Sequence, residues 1–87
     1  MVKGCVSITN ECGLHLRPAG FLCKLAMEYK ASVSMRKANV TVNAKSVLGV
    51  LGACVKCGDE VEFLCDGEDE EEALQAILAA AQNKFGE

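Results

Sequence analysis

The only histidine and the only proline of the chain stand within four consecutive positions of one stretch, "GLHLRPAG", residues 13–20. His15 carries an imidazole, the side chain that titrates nearest to neutral pH. Arg17 adds a permanent cation whose guanidinium binds phosphate oxygens through paired hydrogen bonds. A neutral imidazole nitrogen is a nucleophile. A structural histidine at an ordinary helix entry is one interpretation of the stretch. The other is a site at which His15 accepts a phosphoryl group and Arg17 steadies it, and this gives every residue type of the cluster a role.

The pattern after this cluster predicts that it lies where a loop enters a helix. From Leu16 or Arg17 onward the apolar residues recur at helical spacing, and Pro18 suits a first helical turn because its missing N–H costs nothing there. The first N–H groups of a helix lack carbonyl partners and attract anions. We therefore expect the backbone N–H groups of Leu16 and Arg17, beside Pro18, to bind the phosphoryl group.

The same surroundings bear on the charge of His15. Both the helix terminus and Arg17 disfavour the imidazolium form, which favours a neutral ring with a free nitrogen. No second acid, base, metal site or nucleotide-binding loop accompanies the cluster in the sequence. This favours a carrier that receives and passes on a phosphoryl group over a stand-alone enzyme, and it predicts no metal and no cofactor.

Hydrophobic periodicity predicts the elements that position the cluster. Alternating residues indicate strands at 2–9, 32–36, 40–42 and 60–65. Besides the helix after His15, a short helix capped by Ser46 and a closing helix are expected. The order βαββαβα predicts an α+β fold, with a four-stranded antiparallel sheet covered on one face by three helices. We expect one domain over residues 1–87.

The closing helix follows the acidic stretch "DGEDEEE", residues 66–72. Acidic side chains favour a helix N-terminus, so this stretch predicts a helix start and not a partner-binding tail. Lys84 is expected at the far end of the helix, and Gly86 is expected to stop it. The apolar stripe of this helix is predicted to comprise Leu74, Ile77, Leu78, Ala81 and Phe85.

Charge and length exclude some classes of function. The net charge of −3 argues against nucleic acid as a partner, because phosphate contacts need a basic face. No apolar run is long enough to span a membrane, and the first residues have no secretory h-region. We therefore expect a cytoplasmic protein with no membrane insertion.

The six cysteines admit a different class of protein. Four of them stand singly among apolar residues and are expected to act mostly as small buried side chains, namely Cys5, Cys12, Cys23 and Cys65. Only "CVKC", Cys54 to Cys57, has metal or redox spacing. A zinc site needs further ligands at suitable spacing, and His15 is far away in sequence. A cysteine-based metal or redox protein is thus the less favoured alternative.

Two spaced motifs, "GLHLRPAG" and "NAKSVLGVLG", resemble the signatures of the HPr family, the histidine-containing phosphocarriers of the bacterial phosphoenolpyruvate-dependent sugar phosphotransferase system. The resemblance continues through "GEDEEEAL" and "NKFGE" and so covers essentially the whole chain. It implies an open-faced β-sandwich. It also implies that Enzyme I phosphorylates His15, that Arg17 steadies the phosphoryl group, and that an Enzyme IIA domain receives it from a monomeric carrier.

The resemblance implies that Ser46 corresponds to the regulatory serine of the family. In some bacteria a dedicated enzyme, HPr kinase/phosphorylase, modifies that serine. A phosphate there would add negative charge near the docking face and slow the carrier reaction. Ser46 as a plain helix cap is compatible with this role. The alternative function is a regulatory binding module of the nitrogen-branch or catabolite-control type. Such a module would signal the phosphorylation state of His15 or Ser46 to a partner such as a catabolite-control transcription factor.

Partner docking is expected to be apolar, because a short helix cannot bury all of its large residues. The candidate docking residues are Leu16, Gly20, Phe21, Val47, Leu48 and Leu51. We expect Leu16, Phe21 and Leu48 to be the exposed ones. The alternative for Val47 and Leu51 is that they belong to the core and not to the docking surface.

Two cysteines depart from the family pattern. Cys12 replaces a residue that is often asparagine or another polar type, and Cys54 replaces a glycine in a loop that comes near the active site in the family. We expect both to lie near His15. Our hypothesis is that oxidation or a metal there blocks phosphoryl transfer.

Overall fold

The computed structural model describes all residues, 1–87, and confirms the predicted order of elements. A four-stranded sheet carries three helices and ends in a short 3-10 turn. In chain order the elements are β1 (Val2–Ser7), α1 (Leu16–Ala26), β2 (Ser32–Lys37), β3 (Val40–Asn43), α2 (Val47–Gly52), β4 (Glu60–Asp66), α3 (Glu70–Gln82) and the 3-10 turn Lys84–Gly86. The predicted α+β open-faced sandwich is therefore correct.

The sheet has the strand order β1-β4-β2-β3, and every neighbouring pair is antiparallel. The two central strands supply the middle of the core. Met35 of β2 lies opposite Phe63 of β4, and Val33 lies opposite Cys65; all four side chains are buried. Successive side chains of a strand point to opposite faces, so these residues share the face that the helices cover. The other face stays open.

Helix α1 packs on this core through Leu22, Cys23 and Ala26, which are buried. It also contacts α2, α3 and the C-terminal 3-10 turn. Its first residue follows His15 directly. The burial of one side of α1 therefore fixes the position of His15 at the surface.

Strand β1 is shorter than the predicted span 2–9 and ends at Ser7. Its partner strand begins at Glu60, which is paired with Ser7, so no further ladder positions exist. Ile8 is nevertheless buried, and its backbone bonds to the loop before β4: its N–H donates to the Asp59 carbonyl (2.9 Å) and its carbonyl accepts from Gly58 (2.7 Å).

Helix α3 begins at Glu70, so the acidic stretch does start a helix. The side chain of Asp69 accepts hydrogen bonds from the backbone N–H groups of Lys30 (2.9 Å) and Ala31 (2.8 Å). The hydrogen bond from Lys30, followed by that from Ala31, holds the pKa of Asp69 below its ordinary value. These bonds join the start of α3 to the chain between α1 and β2.

The predicted end of α3 is wrong. The helix stops at Gln82, so Lys84 does not lie in its last turn and Gly86 does not end it. Lys84 and Phe85 take left-handed backbone angles, with φ of 55° and 49°. This turn brings the Phe85 ring into the core, where it packs edge-on against Phe63 with ring centroids 6.5 Å apart. Burial of one aromatic ring thus outweighs one more helical turn.

The buried stripe of α3 also differs in part from the prediction. Its fully buried side chains are Ala73, Ile77 and Ala81, whereas Leu74 and Leu78 are half-buried at its margin. No helix in the structure combines the length and the apolar character that a membrane span requires.

Candidate functional site

A tight turn delivers His15 to the start of α1. Gly13 has φ of 66°, a left-handed angle that favours glycine, and its N–H donates to the Asn10 carbonyl (2.9 Å). The buried Leu14 donates its N–H to the carbonyl of Val55 (3.0 Å). His15 is the N-cap residue of α1, with an extended backbone and no capping hydrogen bond from its side chain. Its ring is therefore free to face the surface.

The helix start has the predicted free donors. The first hydrogen bond of the helix runs from the Ala19 N–H to the His15 carbonyl (3.0 Å), and Pro18 has no N–H. The N–H groups that precede them, of Leu16 and Arg17, lack intrahelical partners. The Arg17 side chain is exposed. The four residues singled out in the sequence thus lie together at one helix terminus.

The structure adds a carboxylate that the sequence did not suggest. Nε2 of His15 lies 2.8 Å from Oε2 of Glu87, the last residue of the chain. Asn10, which is almost fully buried, donates from Nδ2 to Oε1 of Glu87 (2.6 Å) and to the Lys84 carbonyl (2.8 Å). The left-handed turn at Lys84 and Phe85 brings the Glu87 side chain to His15 and Asn10. The expectation of purely positive surroundings for His15 is therefore incomplete.

The carboxylate determines which ring nitrogen is available. In a neutral imidazole one nitrogen carries hydrogen and the other a lone pair. When Nε2 carries the hydrogen and donates it to Glu87, Nδ1 keeps the lone pair. The geometry therefore leaves Nδ1 as the ring nitrogen with a free lone pair.

Glu87 is held in its charged form by the same contacts. The hydrogen bond from Asn10, and after it the contact with His15, keep the pKa of Glu87 below its ordinary value. A carboxyl whose folded-state pKa is lowered stabilises the fold above its unfolded pKa, and this contribution is lost as the pH falls through the folded value. The contact between Glu87 and His15 therefore loses its carboxylate only below the ordinary pKa of a glutamate, where Glu87 takes up a proton.

His15 lies at the edge of a shallow depression of about 290 Å³. The other lining residues are Asn10, Glu11, Cys12, Lys84 and Glu87. Cys12 is thus near His15, as expected. Cys54 does not line this depression; its carbonyl instead accepts a hydrogen bond from Nζ of Lys37 (2.9 Å).

All six cysteines are free thiols. Cys23 and Cys65 are buried, and burial raises the pKa of each thiol. Cys5 and Cys12 are exposed, so the expectation that the single cysteines are mostly buried holds for only two of the four. The structure contains no cluster of three or more His, Cys, Asp or Glu side chains arranged to hold a metal ion.

Ser46 caps α2, as predicted. Its backbone is extended, and its Oγ accepts a hydrogen bond from the N–H of Gly49 (3.1 Å). The hydroxyl therefore lies at the N-terminus of the helix that also carries Leu48.

The candidate docking residues divide as expected. Leu16, Phe21 and Leu48 are exposed, with fractions of 66%, 45% and 82%. We refer to these three as the exposed apolar residues. Val47 and Leu51 are half-buried and pack against the core. The remaining candidate is Gly20, where an added Cβ would meet no atom within 4 Å.

Comparisons with known proteins bear on the family and the fold of this chain. A family model described as "PTS HPr component phosphorylation site" matches residues 2–83. The phosphocarrier protein HPr of Treponema pallidum is 38% identical over 87 residues, which cover 100% of this chain and 99% of that protein. A crystal structure of HPr from Thermoanaerobacter tengcongensis superposes with a TM-score of 0.96 at 37% identity, covering 100% and 98% of the two chains. The Bacillus subtilis protein Crh, solved as a swapped dimer, superposes with a TM-score of 0.78 at 36% identity and covers 97% of each chain.

Proposed function

This chain belongs to the HPr family of phosphocarrier proteins, and we propose that it accepts a phosphoryl group from phospho-Enzyme I on His15 and passes it to an Enzyme IIA domain. One observation carries the proposal: a histidine whose Nε2 is engaged by Glu87 stands beside the unpaired N–H groups that begin α1. Residues 1–87 act as one cytoplasmic domain.

In the proposed step the Nδ1 lone pair of His15 attacks phosphorus. A nitrogen–phosphorus bond forms while the bond from phosphorus to the donor group breaks, and the donor keeps that electron pair. The transferred group carries negative charge next to the Leu16 and Arg17 N–H groups, a favourable place for an anion. The exposed Arg17 guanidinium adds charge-assisted hydrogen bonds. The reverse sequence then passes the group to the acceptor.

The protein acts as a carrier and not as a stand-alone catalyst in this scheme. The proposed site contains one nucleophile and a means of holding the product anion. The activating donor and the final acceptor are both supplied by partners.

Incubation with Enzyme I, magnesium and labelled phosphoenolpyruvate tests the function. We expect an acid-labile label on the chain, and we expect an added Enzyme IIA domain to remove it. A wild-type chain that takes no label under these conditions would contradict the proposal.

The exposed apolar residues are proposed to form the docking surface for Enzyme I and Enzyme IIA. Leu48→Glu should lower the rate of phosphoryl transfer from Enzyme I at least about tenfold, because it places a charge where an apolar contact is required. Leu48 is 82% exposed, so folding should be unaffected. Met27→Glu is the matched control: Met27 is 68% exposed but caps the opposite end of α1 from His15. Equal rates for the two variants would exclude this surface.

A regulatory role at Ser46 is a second candidate function, favoured by its position at the start of the helix that carries Leu48. A phosphate at a helix N-terminus is electrostatically acceptable to the fold. The same phosphate would place negative charge beside the docking surface. A transcription factor of the catabolite-control type is the partner proposed for this state.

HPr kinase/phosphorylase and labelled ATP test this role. We expect an acid-stable label on Ser46 and, for the modified chain, phosphoryl transfer from Enzyme I slowed at least about tenfold. Ser46→Asn should take no label yet keep the helix cap, since asparagine is also a good N-cap residue. An unlabelled wild-type chain, or an unchanged rate after labelling, would refute the regulatory proposal.

We propose that the carrier acts as a monomer, although Crh was solved as a dimer. Nucleic acid and membrane insertion have no part in the proposed function.

A further inference from the structure

The segment "CVKC", Cys54–Cys57, joins α2 to β4 and has no part in the proposed transfer chemistry. We call it the CVKC loop. Both of its cysteines are free and exposed. They are the only cysteines of the chain separated by two residues, the spacing of many dithiol pairs that oxidise reversibly. The buried Cys23 and Cys65 are inaccessible to an oxidant in solution.

The backbone of the CVKC loop supports the turn that carries His15. The carbonyl of Val55 accepts the N–H of Leu14 (3.0 Å), and the Val55 side chain is only 5% exposed. The loop also lies directly against Gly13: a Cβ added there would clash with the Val55 carbonyl oxygen and lie 2.8 Å from Cα of Lys56. Val55 and Lys56 are therefore in direct backbone contact with the turn before His15.

Polar contacts made by Lys37 and Asp59 hold the CVKC loop in this conformation. Nζ of Lys37 donates to the Cys54 carbonyl (2.9 Å) and pairs with Oδ2 of Asp59 (2.9 Å). The same Asp59 oxygen accepts the N–H of Lys56 (2.8 Å). Cys54 has φ of 53°, which a residue with a side chain rarely adopts. The surrounding contacts, and not the preference of the loop itself, therefore impose the reduced conformation.

We propose that Cys54 and Cys57 form a reversible disulfide that displaces the Val55 carbonyl and so alters the turn that presents His15. A disulfide requires Cα atoms about 4.4 to 6.8 Å apart and a defined dihedral angle. Closing it constrains both ends of the Val55–Lys56 pair, the two residues that touch Gly13 and Leu14. Oxidation at the exposed loop is thereby transmitted to the site over two residues of backbone.

The chemistry requires an oxidant, for which a small disulfide such as oxidised glutathione is sufficient. One cysteine thiolate attacks a glutathione sulfur and expels one glutathione thiolate, leaving a mixed disulfide. The second cysteine thiolate attacks the protein sulfur of that mixed disulfide and expels the second glutathione. The two cysteines together lose two electrons and two protons, and one oxidised glutathione becomes two reduced molecules. Excess reduced glutathione or dithiothreitol reverses both steps.

The test uses the full chain with Cys5→Ser and Cys12→Ser, which removes the other exposed thiols. After equilibration with oxidised glutathione, peptide mass mapping should find a disulfide between Cys54 and Cys57. Amide hydrogen exchange at Leu14 should then be about five-fold faster than in the reduced chain, the change expected for the loss of one ordinary hydrogen bond. Dithiothreitol should restore the original rate.

Adding Cys57→Ser to this background gives the matched control, which should show the slow Leu14 exchange under both conditions. Failure to form the disulfide at any glutathione ratio would overturn the proposal. So would a disulfide that leaves Leu14 exchange unchanged.

A second measurement rests on the proposed carrier function. Phosphorylation of His15 by Enzyme I should be at least about five-fold slower in the oxidised chain and should recover on reduction. An equal rate in the two states would count against the proposed effect on the His15 turn. A chain that takes no label in either state would refute the carrier function, whereas Leu14 exchange would still decide the disulfide proposal.

Discussion

His15→Ala should accept no phosphoryl group from Enzyme I and phosphoenolpyruvate, a loss of at least about a thousandfold. The chain has no second histidine, and removal of a nucleophile from a covalent transfer leaves no alternative acceptor. His15 is a half-exposed N-cap residue without a capping hydrogen bond, so the substitution should leave the fold intact. The rate of appearance of acid-labile label measures the effect, and thermal unfolding checks the fold.

Glu87→Gln tests whether the negative charge beside His15 takes part in transfer. It retains a carbonyl oxygen that can accept from Nε2 of His15 but removes the negative charge of the contact. Hydrogen bonds to charged groups are about twice as strong as neutral ones, so the transfer rate should change by no more than about tenfold. Label on the His15→Ala chain would contradict the assignment of the acceptor. Complete loss in Glu87→Gln would show that the carboxylate takes part in transfer itself.

The sequence predicted the local parts of the site because they lie close together along the chain. His15, Leu16, Arg17 and Pro18 belong to a single loop-to-helix junction, and the apolar spacing that follows them identifies that helix. The same local logic found the Ser46 cap of α2. Alternation in the strands was likewise sufficient to predict the sheet and the face that the helices cover.

The contacts that the sequence did not predict are long-range. Glu87 is 72 positions from His15 and reaches it only because Lys84 and Phe85 take left-handed angles. Those angles follow from burial of the Phe85 ring against Phe63, a tertiary effect that overrides helical periodicity. A period of 3.6 residues allows Phe85 to continue the α3 stripe, and nothing local distinguishes this continuation from the turn that forms.

Exposure of the cysteines was misjudged for a related reason. Cys5 alternates out of phase with Val2 and Val6 in an edge strand, so it lies on the open face of the sheet. Cys12 lies in the turn before His15, where neighbouring apolar residues in sequence do not imply burial. An apolar neighbourhood along the chain therefore predicts burial only within a periodic element.

Gly13→Ala should be the most destabilising single-methyl substitution near the site, by about 2–4 kcal/mol. The left-handed φ of 66° costs an alanine backbone energy, and its Cβ would also clash with the Val55 carbonyl. Hydrogen bonds hold both chain segments at this contact, from Leu14 to Val55 on one side and from Lys37 to Cys54 on the other. Neither segment can therefore move away freely. Urea denaturation at constant m-value measures the change.

Gly20→Ala supplies the matched control, because the same methyl group is added within α1 where no atom lies within 4 Å. Alanine is favoured over glycine in a helix interior, so this variant should gain about 0.5–1 kcal/mol. Opposite signs for the two substitutions would show that the left-handed backbone of Gly13 together with its contact with the loop after α2, and not the loss of glycine as such, sets the cost. Gly13→Ala as stable as the wild type would mean that Val55 can move away from the His15 turn without penalty. The support that positions His15 would then have to come from α1 and the Glu87 contact alone.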